Sequence, residues 1–135
     1  TTYDKFMVSR SRDVALQGQT LHPIYSFNKN YYLYARRGDT FRLLAEEVGI
    51  SRRRLARYNE LDKDAVLEEG AVVWLKKKRT KAPKDYRGRP HRVSAGESMY
   101  TIAQRYGIRL KSLYKMNHLS PEEYTISEGD LLRIR

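Results

Sequence analysis

The chain has 135 residues, no cysteine, 27 Lys and Arg against 16 Asp and Glu, and a formal net charge of +11. That length suits one ordinary domain or two very small ones. Without cysteine there is neither a disulfide scaffold nor a thiolate metal site, which leaves the compartment open; no run of about 18 apolar residues reads as a membrane span, and no basic stretch followed by an apolar segment opens the chain.

The charge is unevenly spread. Residues 76–92 carry nine basic groups and one acidic group, whereas 32–75 carry eight of each and 93–135 carry six and five. This basic segment holds two prolines and one glycine with little apolar content, the composition of a linker.

In chain order, residues 1–19 lack apolar periodicity and are expected to be extended or poorly ordered. The chain opens at Thr1 rather than Met, as a piece of a longer protein would, or after ordinary Met removal. Residues 20–27, a turn at Asn28-Lys29-Asn30 and the run Tyr31-Tyr32-Leu33-Tyr34 read as a hairpin, because Asn in a short turn tolerates positive φ. Such a hairpin can add a third strand to a sheet formed further along the chain.

From Tyr31 to Ala35 the chain reads as a strand. Thr40 then offers an oxygen to the free N–H groups of a starting helix, and Asp39 adds negative charge there. Phe41, Leu44, Ala45 and Val48 fall at i, i+3, i+4 and i+7, so one helix face is buried. Gly49 ends this helix in the left-handed conformation that glycine tolerates. A second helix is predicted from Arg52 to Tyr58, capped by Ser51. After Asn59-Glu60-Leu61 a polar loop leads to Leu67-Glu68-Glu69-Gly70 and a final strand ending at Trp74-Leu75.

The chain then repeats itself. Gly38-Asp39-Thr40-Phe41 through Gly49-Ile50 returns 58 residues later as Gly96-Glu97-Ser98-Met99 through Gly107-Ile108. Leu55, Asn59 and Leu61 recur as Leu113, Asn117 and Leu119, and Leu67-Glu68-Glu69-Gly70 recurs one residue further on as Ile126-Ser127-Glu128-Gly129. The second copy predicts a strand at His91-Arg92-Val93, helices from about Met99 and from Leu110 to Met116, and a last strand through Leu131, Leu132 and Ile134. Arg109 stands where the first copy has its capping Ser51. A repeat of about 45 residues that keeps its glycines and apolar positions implies two copies of one small module. Two strands alone are marginal in water, so each pair must be antiparallel and covered on one face by both helices. The fold class is therefore α+β, two βααβ modules plus an N-terminal hairpin or extension. The domains are 1–31 (extension, with a hairpin adding to module 1), 32–76 (module 1), 77–90 (basic linker) and 91–135 (module 2). Modules this small leave room for a shallow groove rather than a deep catalytic pocket.

These residues resemble the LysM family. The steps Gly-Asp-Thr (Gly38) and Gly-Glu-Ser (Gly96), then Tyr106-Gly107-Ile108, then Leu113-x-x-x-Asn117-x-Leu119, then Ile126-x-x-Gly129-x-x-Leu132-x-Ile134 are similar to that module over both copies. The resemblance implies a βααβ fold that binds polymers of N-acetylglucosamine, peptidoglycan or chitin-like oligosaccharide, without catalysis. Residues 106–117 and 129–135 also resemble the tail of bacterial peptidoglycan glucosaminidases that end in a LysM pair, and Tyr3-Asp4-Lys5 resembles the exit from such a catalytic domain. This implies an upstream catalytic domain in a parent chain, and a place in the cell envelope, periplasmic or secreted.

The family's groove lies between the loop from strand one to helix one and the loop from helix two to strand two. Carried over, it implies ligand binding by Gly38, Asp39, Thr40 and Phe41 facing Asp64, Ala65, Val66 and Leu67. In the second copy it implies Gly96, Glu97, Ser98 and Met99 facing Glu123, Tyr124, Thr125 and Ile126. An N-acetyl group offers one acceptor, one donor and a methyl, which backbone amides and a small apolar wall can match. Several of these residues also have a purely structural reading: turn geometry for Gly38 and Gly96, helix capping for Thr40 and Ser98, core packing for Phe41 and Met99, simple packing instead of sugar stacking for Tyr124. Asn59 and Asn117 read as side-chain-to-backbone ties, and Trp74 as packing.

No catalytic residue is expected. Glu46-Glu47, Glu68-Glu69 and Glu122-Glu123 read as solvated pairs rather than two carboxylates across a cleft. His22, His91 and His118 lack a second ligand at helical or hairpin spacing, so neither a metal nor any other cofactor is expected. Two other functions stay open: assembly, with the hairpin edge pairing to another chain and the glycan grooves degenerate, and nucleic-acid binding by the basic segment. The modules lack a joint aromatic and basic face, which disfavours nucleic acid, and a monomer is expected.

Overall fold

The computed structural model describes residues 21–122 and 125–135. The expectations for residues 1–19, the start of the hairpin at Thr20, and Glu123 and Tyr124 lie outside the described residues. Two compact units divide the chain, the first ending at Lys77 and the second spanning Lys78–Arg135.

In the first unit, β1 (Tyr25–Phe27) and β2 (Asn30–Tyr34) form the hairpin, α1 (Phe41–Val48) and α2 (Arg52–Tyr58) come next, and β3 (Val72–Trp74) closes the sheet in the order β1-β2-β3. Phe27 faces Asn30 directly across the turn, and the two residues between them, Asn28 and Lys29, have φ of 54° and 57°. Both central residues are left-handed, as a two-residue turn matched to strand twist requires. Antiparallel pairing sets Leu33 opposite Val73 and Tyr32 opposite Trp74. Successive side chains alternate across a sheet, so Leu33, Ala35, Val73 and Leu75 join Phe41, Leu44, Val48 and Leu55 in the core. The other face carries Tyr25, Tyr32 and Tyr34, with Tyr32 packed 5.0 Å from the Trp74 ring.

In the second unit, β4 (His91–Arg92) pairs antiparallel with β5 (Leu131–Leu132), and α3 (Met99–Tyr106) and α4 (Leu110–Met116) lie between them in sequence. Its buried residues Val93, Met99, Ile102, Ala103, Tyr106, Leu113, Leu132 and Ile134 are the repeat counterparts of the first core. The backbone repeats as well: Ala35 N–H donates to Ala71 and Gly70 N–H to Ala35, each at 2.8 Å, and Val93 to Asp130 and Gly129 to Val93 do the same at 2.8 Å. Gly49 and Gly107 end α1 and α3 at φ of 73° and 67°.

Residues 78–90, whose composition is that of a linker, pack on the second unit. Arg79 pairs alongside Ile108, its N–H donating to Gly107 at 3.0 Å and its carbonyl accepting from Arg109 at 2.8 Å. Ala82 is fully buried and donates to Ile134 at 2.8 Å. Lys78 is buried too, its ammonium 2.7 Å from Gln104 Oε1 and 5.6 Å from the Tyr100 ring centroid. A two-stranded sheet needs extra cover. In the first unit that cover is β1 on the β2 edge; in the second it is this segment beside β5.

Candidate functional site

The chain leaves one end of the sheet after β2 in the first unit and after β4 in the second, and re-enters at that same end before β3 and β5. The loop 35–40 and the loop 61–71 are thus neighbours, tied by the bonds between Ala35, Gly70 and Ala71. Loops 93–98 and 119–130 are tied alike through Val93, Gly129 and Asp130.

Gly38 and Gly96 sit in the first of these loops at φ of 87° and 82°, with nothing within 4 Å of where a Cβ would stand. Their conformation answers to the turn, and the space over them is open. Thr40 caps α1, its Oγ1 accepting from Leu43 N–H at 3.2 Å. Ser98 and Thr101 form a reciprocal cap on α3: Ser98 Oγ accepts from Thr101 N–H at 3.1 Å and Thr101 Oγ1 from Ser98 N–H at 2.8 Å. These bonds satisfy donors that a helix start leaves unpaired. Both caps are exposed.

Asp39 and Glu97 turn inward. Asp39 Oδ2 accepts from Arg36 N–H at 2.6 Å, and Glu97 Oε1 accepts from Ser94 N–H at 2.6 Å. Each carboxylate also meets an imidazole Nε2, that of His22 at 2.6 Å and that of His91 at 2.9 Å. His22 comes from before β1 and His91 from β4, so two unrelated positions supply the same partner. His22 Nδ1 lies 2.7 Å from Glu47 Oε1, and Glu47 Oε2 accepts from His22 N–H at 3.1 Å. Glu47 is 5 % exposed, which corrects its reading as a solvated residue: it flanks the buried stripe of α1, and His22 covers it. His91 Nδ1 instead meets the Tyr106 hydroxyl at 2.6 Å.

The hydrogen bond to Glu47 is the main cause that raises the His22 pKa above its ordinary value, against the opposing effect of burial, with Asp39 adding to the rise. Burial pushes Glu97 upward, but the Ser94 N–H, His91 and Arg105 outweigh it and hold Glu97 below the usual carboxylate range. Asp39 and Glu47 face opposite edges of one ring and do not converge on a point.

Phe41, Met99 and Leu67 are 0 %, 5 % and 8 % exposed; their side chains belong to the core, and only their backbone borders the loops. Asp64 is exposed and held by Lys63 at 2.9 Å and Arg52 at 3.4 Å, and the Lys63 hydrogen bond lowers its pKa. Ala65 is half-buried, its N–H donating to Asp62 at 3.0 Å. Val66 is 91 % exposed, an apolar side chain standing in water where its counterpart is the exposed Thr125. Ile126 is half-buried. Asn59 ties the end of α2 to Trp74 in β3, and Asn117 ties the end of α4 to Arg133 just past β5.

The two loops present exposed chain at Gly38, Thr40, Gly96 and Ser98, with the hydroxyls of Thr40 and Ser98 at the helix starts. Paired βααβ modules, each with an open loop-lined surface at one end of its sheet, define a class of compact binding unit. The chain belongs to the LysM domain family, which matches residues 35–76 and 91–135. LysM is a binding domain rather than a catalytic one; it indicates binding to peptidoglycan and other N-acetylglucosamine polymers, and it is characteristically extracellular or wall-associated. Among solved structures, the chain is similar to the spore cortex-lytic enzyme SleL of Bacillus cereus, at 27 % identity over 77 % of this chain with a TM-score of 0.32. It is also similar to SleL of Bacillus megaterium QM B1551, at 18 % identity over 76 % of this chain with a TM-score of 0.31. The chain spans 22 % of the length of each. The comparison with curated proteins returns no match. Among the described residues, no helix is long and apolar enough to cross a membrane.

Proposed function

We propose that this chain anchors an attached cell-wall hydrolase, a glucosaminidase, to peptidoglycan in the cell envelope or outside the cell. Each module binds N-acetylglucosamine units in the trough between its two neighbouring loops. In the first module Gly38, Asp39, Thr40 and Phe41 face Asp64, Ala65, Val66 and Leu67, with Asp39 shaping the loop and the buried Phe41 and Leu67 supporting it from the core. The second uses Gly96, Glu97, Ser98 and Met99 against Glu123, Tyr124, Thr125 and Ile126.

The observation that carries this reading is the exposure of Val66 at 91 % on a loop fastened to the one bearing the open Gly38. An apolar side chain so exposed, on a loop tied to one with open backbone, matches the methyl and amide of an N-acetyl group. Each hydrogen bond contributes about 1 kcal/mol net, so a single trough binds weakly. Two troughs on one polymer gain through effective concentration. The glucosaminidase assignment draws on the likeness of residues 106–117 and 129–135 to the tails of such enzymes.

Retention of the full chain on purified peptidoglycan sacculi and on chitin beads, at low and high salt, tests the proposal. Retention at both salt levels is expected, with a partial loss for Val66→Glu or Thr125→Glu and a near-complete loss for the pair. Unchanged retention of the double variant places the site elsewhere, and failure on every glycan removes it.

A further inference from the structure

The surplus positive charge of residues 76–92 is partly built into a cleft of the second unit. Lys84–Tyr86 forms a single 3₁₀ turn. Arg89 N–H then donates to the Tyr86 carbonyl at 3.0 Å, with Arg87 at φ −59°, ψ 125° and Gly88 at φ 71°. This is a type II turn, whose third position calls for glycine. It lies beside the end of the second sheet. Tyr86, Arg87 and Arg89 on one side and Arg133, Ile134 and Arg135 on the other line a cleft of about 320 Å³.

Three features give this cleft a chemical preference. Four arginines are among the residues that line it, and no acidic residue among the described ones is. Arginines gathered around one concavity draw anions in from a distance, and the Arg135 main-chain oxygen that Arg133 meets offsets only part of their charge. Secondly, the walls are held in place. Arg135 Nη1 donates to the Ala82 carbonyl at 2.6 Å and Arg133 Nε to the Arg135 main-chain oxygen at 2.8 Å, while Tyr86 packs edge-on to Tyr106 at 5.5 Å. Thirdly, the volume reaches the range of small-ligand sites, more than a lone carboxylate fills, with the half-buried Tyr86 among its lining residues. Guanidinium forks match the oxygens of phosphate two at a time.

We infer that this cleft is an anion site, separate from the loop troughs, that takes a phosphate group; its being carried on a glycan polymer rests on the function proposed above. A nucleic-acid strand fits less well. It calls for a groove that tracks the backbone and for several open stacking rings, whereas here one tyrosine, packed against another, borders one compact cleft.

The site does not depend on the troughs, so its test and theirs separate. The full chain, isotopically labelled in phosphate-free buffer, is titrated with inorganic pyrophosphate and followed by amide NMR. Saturable shifts are expected at residues 86–89 and 133–135, and an affinity weakened by about tenfold or more in Arg87→Ala/Arg89→Ala. Both arginines are exposed, and the charge-matched control Lys111→Ala/Lys115→Ala, also at exposed positions of the same unit, is expected to bind as the unmodified chain does. Absence of saturable shifts, or shifts spread over all basic residues with equal loss in the control, overturns the site. In a second arm, a phosphorylated glycan and a single-stranded oligonucleotide of equal charge compete for the cleft. Stronger binding of the glycan supports the inference; stronger, steeply salt-dependent binding of the oligonucleotide overturns it in favour of nucleic acid.

Discussion

Asn59 holds Trp74 at both of its backbone groups: Oδ1 accepts from Trp74 N–H at 2.7 Å, and Nδ2 donates to the Trp74 carbonyl at 2.9 Å. A third bond, from Nδ2 to the Leu55 carbonyl at 2.8 Å, fastens the end of α2 to the same side chain. One amide thereby joins helix to sheet, and Asn117 repeats the device with Arg133 and Leu113 at 2.7, 2.8 and 2.9 Å.

Asn59 is 1 % exposed, so Asn59→Ala removes three buried hydrogen bonds. The expected loss is about 3 kcal/mol in the first unit. Asn117 is half-buried, where water replaces part of the lost bonding, and Asn117→Ala is expected to cost about half as much. Trp74 is the single tryptophan of the chain, so its fluorescence during urea unfolding reports the first unit selectively; amide exchange reports the second. Equal losses in the two units would contradict the burial argument.

The His22 pKa is raised in the folded chain above its ordinary 6.5. A raised folded pKa means that the protonated ring is stabilised by folding. That contribution is complete below the unfolded pKa and disappears as pH rises through the folded one. The urea midpoint of the first unit is therefore expected to fall as pH rises from below 6.5 through the raised folded pKa, and His22→Gln is expected to flatten the change. Glu97 runs the other way. Its folded pKa lies below the ordinary 4.5, so its contribution to the second unit is present above that value and is lost as pH drops through the folded pKa. Amide exchange across the acid range checks the second slope.

Arg109 occupies the N-cap of α4 at φ −64°, ψ 135° without a side-chain bond, whereas Ser51 at φ −62°, ψ 148° caps α2 by accepting from Arg54 N–H. The backbone is already in capping geometry, so Arg109→Ser needs no rearrangement. It is expected to stabilise the second unit by about 0.5 to 1 kcal/mol, read as a higher melting temperature in circular dichroism. A lower one would mean that the Arg109 stem contributes packing that outweighs a cap.

Gly38 stands at φ 87° with open space where a Cβ would be. Gly38→Ala therefore meets no clash but suffers the left-handed penalty, about 1 kcal/mol or slightly more. Gly38→Asn is expected to lose less, since Asn tolerates that region better. Trp74-monitored unfolding separates the two, and equal losses would point to a steric cause.

The duplicated module was legible from local chemistry. Thr40, Ser51 and Ser98 announce helix starts, Gly49 and Gly107 announce helix ends, and Phe41, Leu44, Ala45 and Val48 mark a buried face, because capping, left-handed exits and helical periodicity act within a few residues of one another. The side-chain ties of Asn59 and Asn117 were legible too, from their place just past a helix. Glu47 gave one weak signal, an acid at the margin of an apolar stripe, but nothing nearby names its partner. His22 lies 25 residues away, and only the fold brings it between Asp39 and Glu47. Likewise composition marks 77–90 as a basic linker, since local sequence cannot disclose that Ala82 meets Ile134 or that Arg87 and Arg89 come to face Arg133 and Arg135. Short-range stereochemistry determined the modules and their repeat; the imidazole contacts and the arginine cleft were decided by tertiary structure, because they join residues whose separation along the chain carries no physical trace until the core has closed.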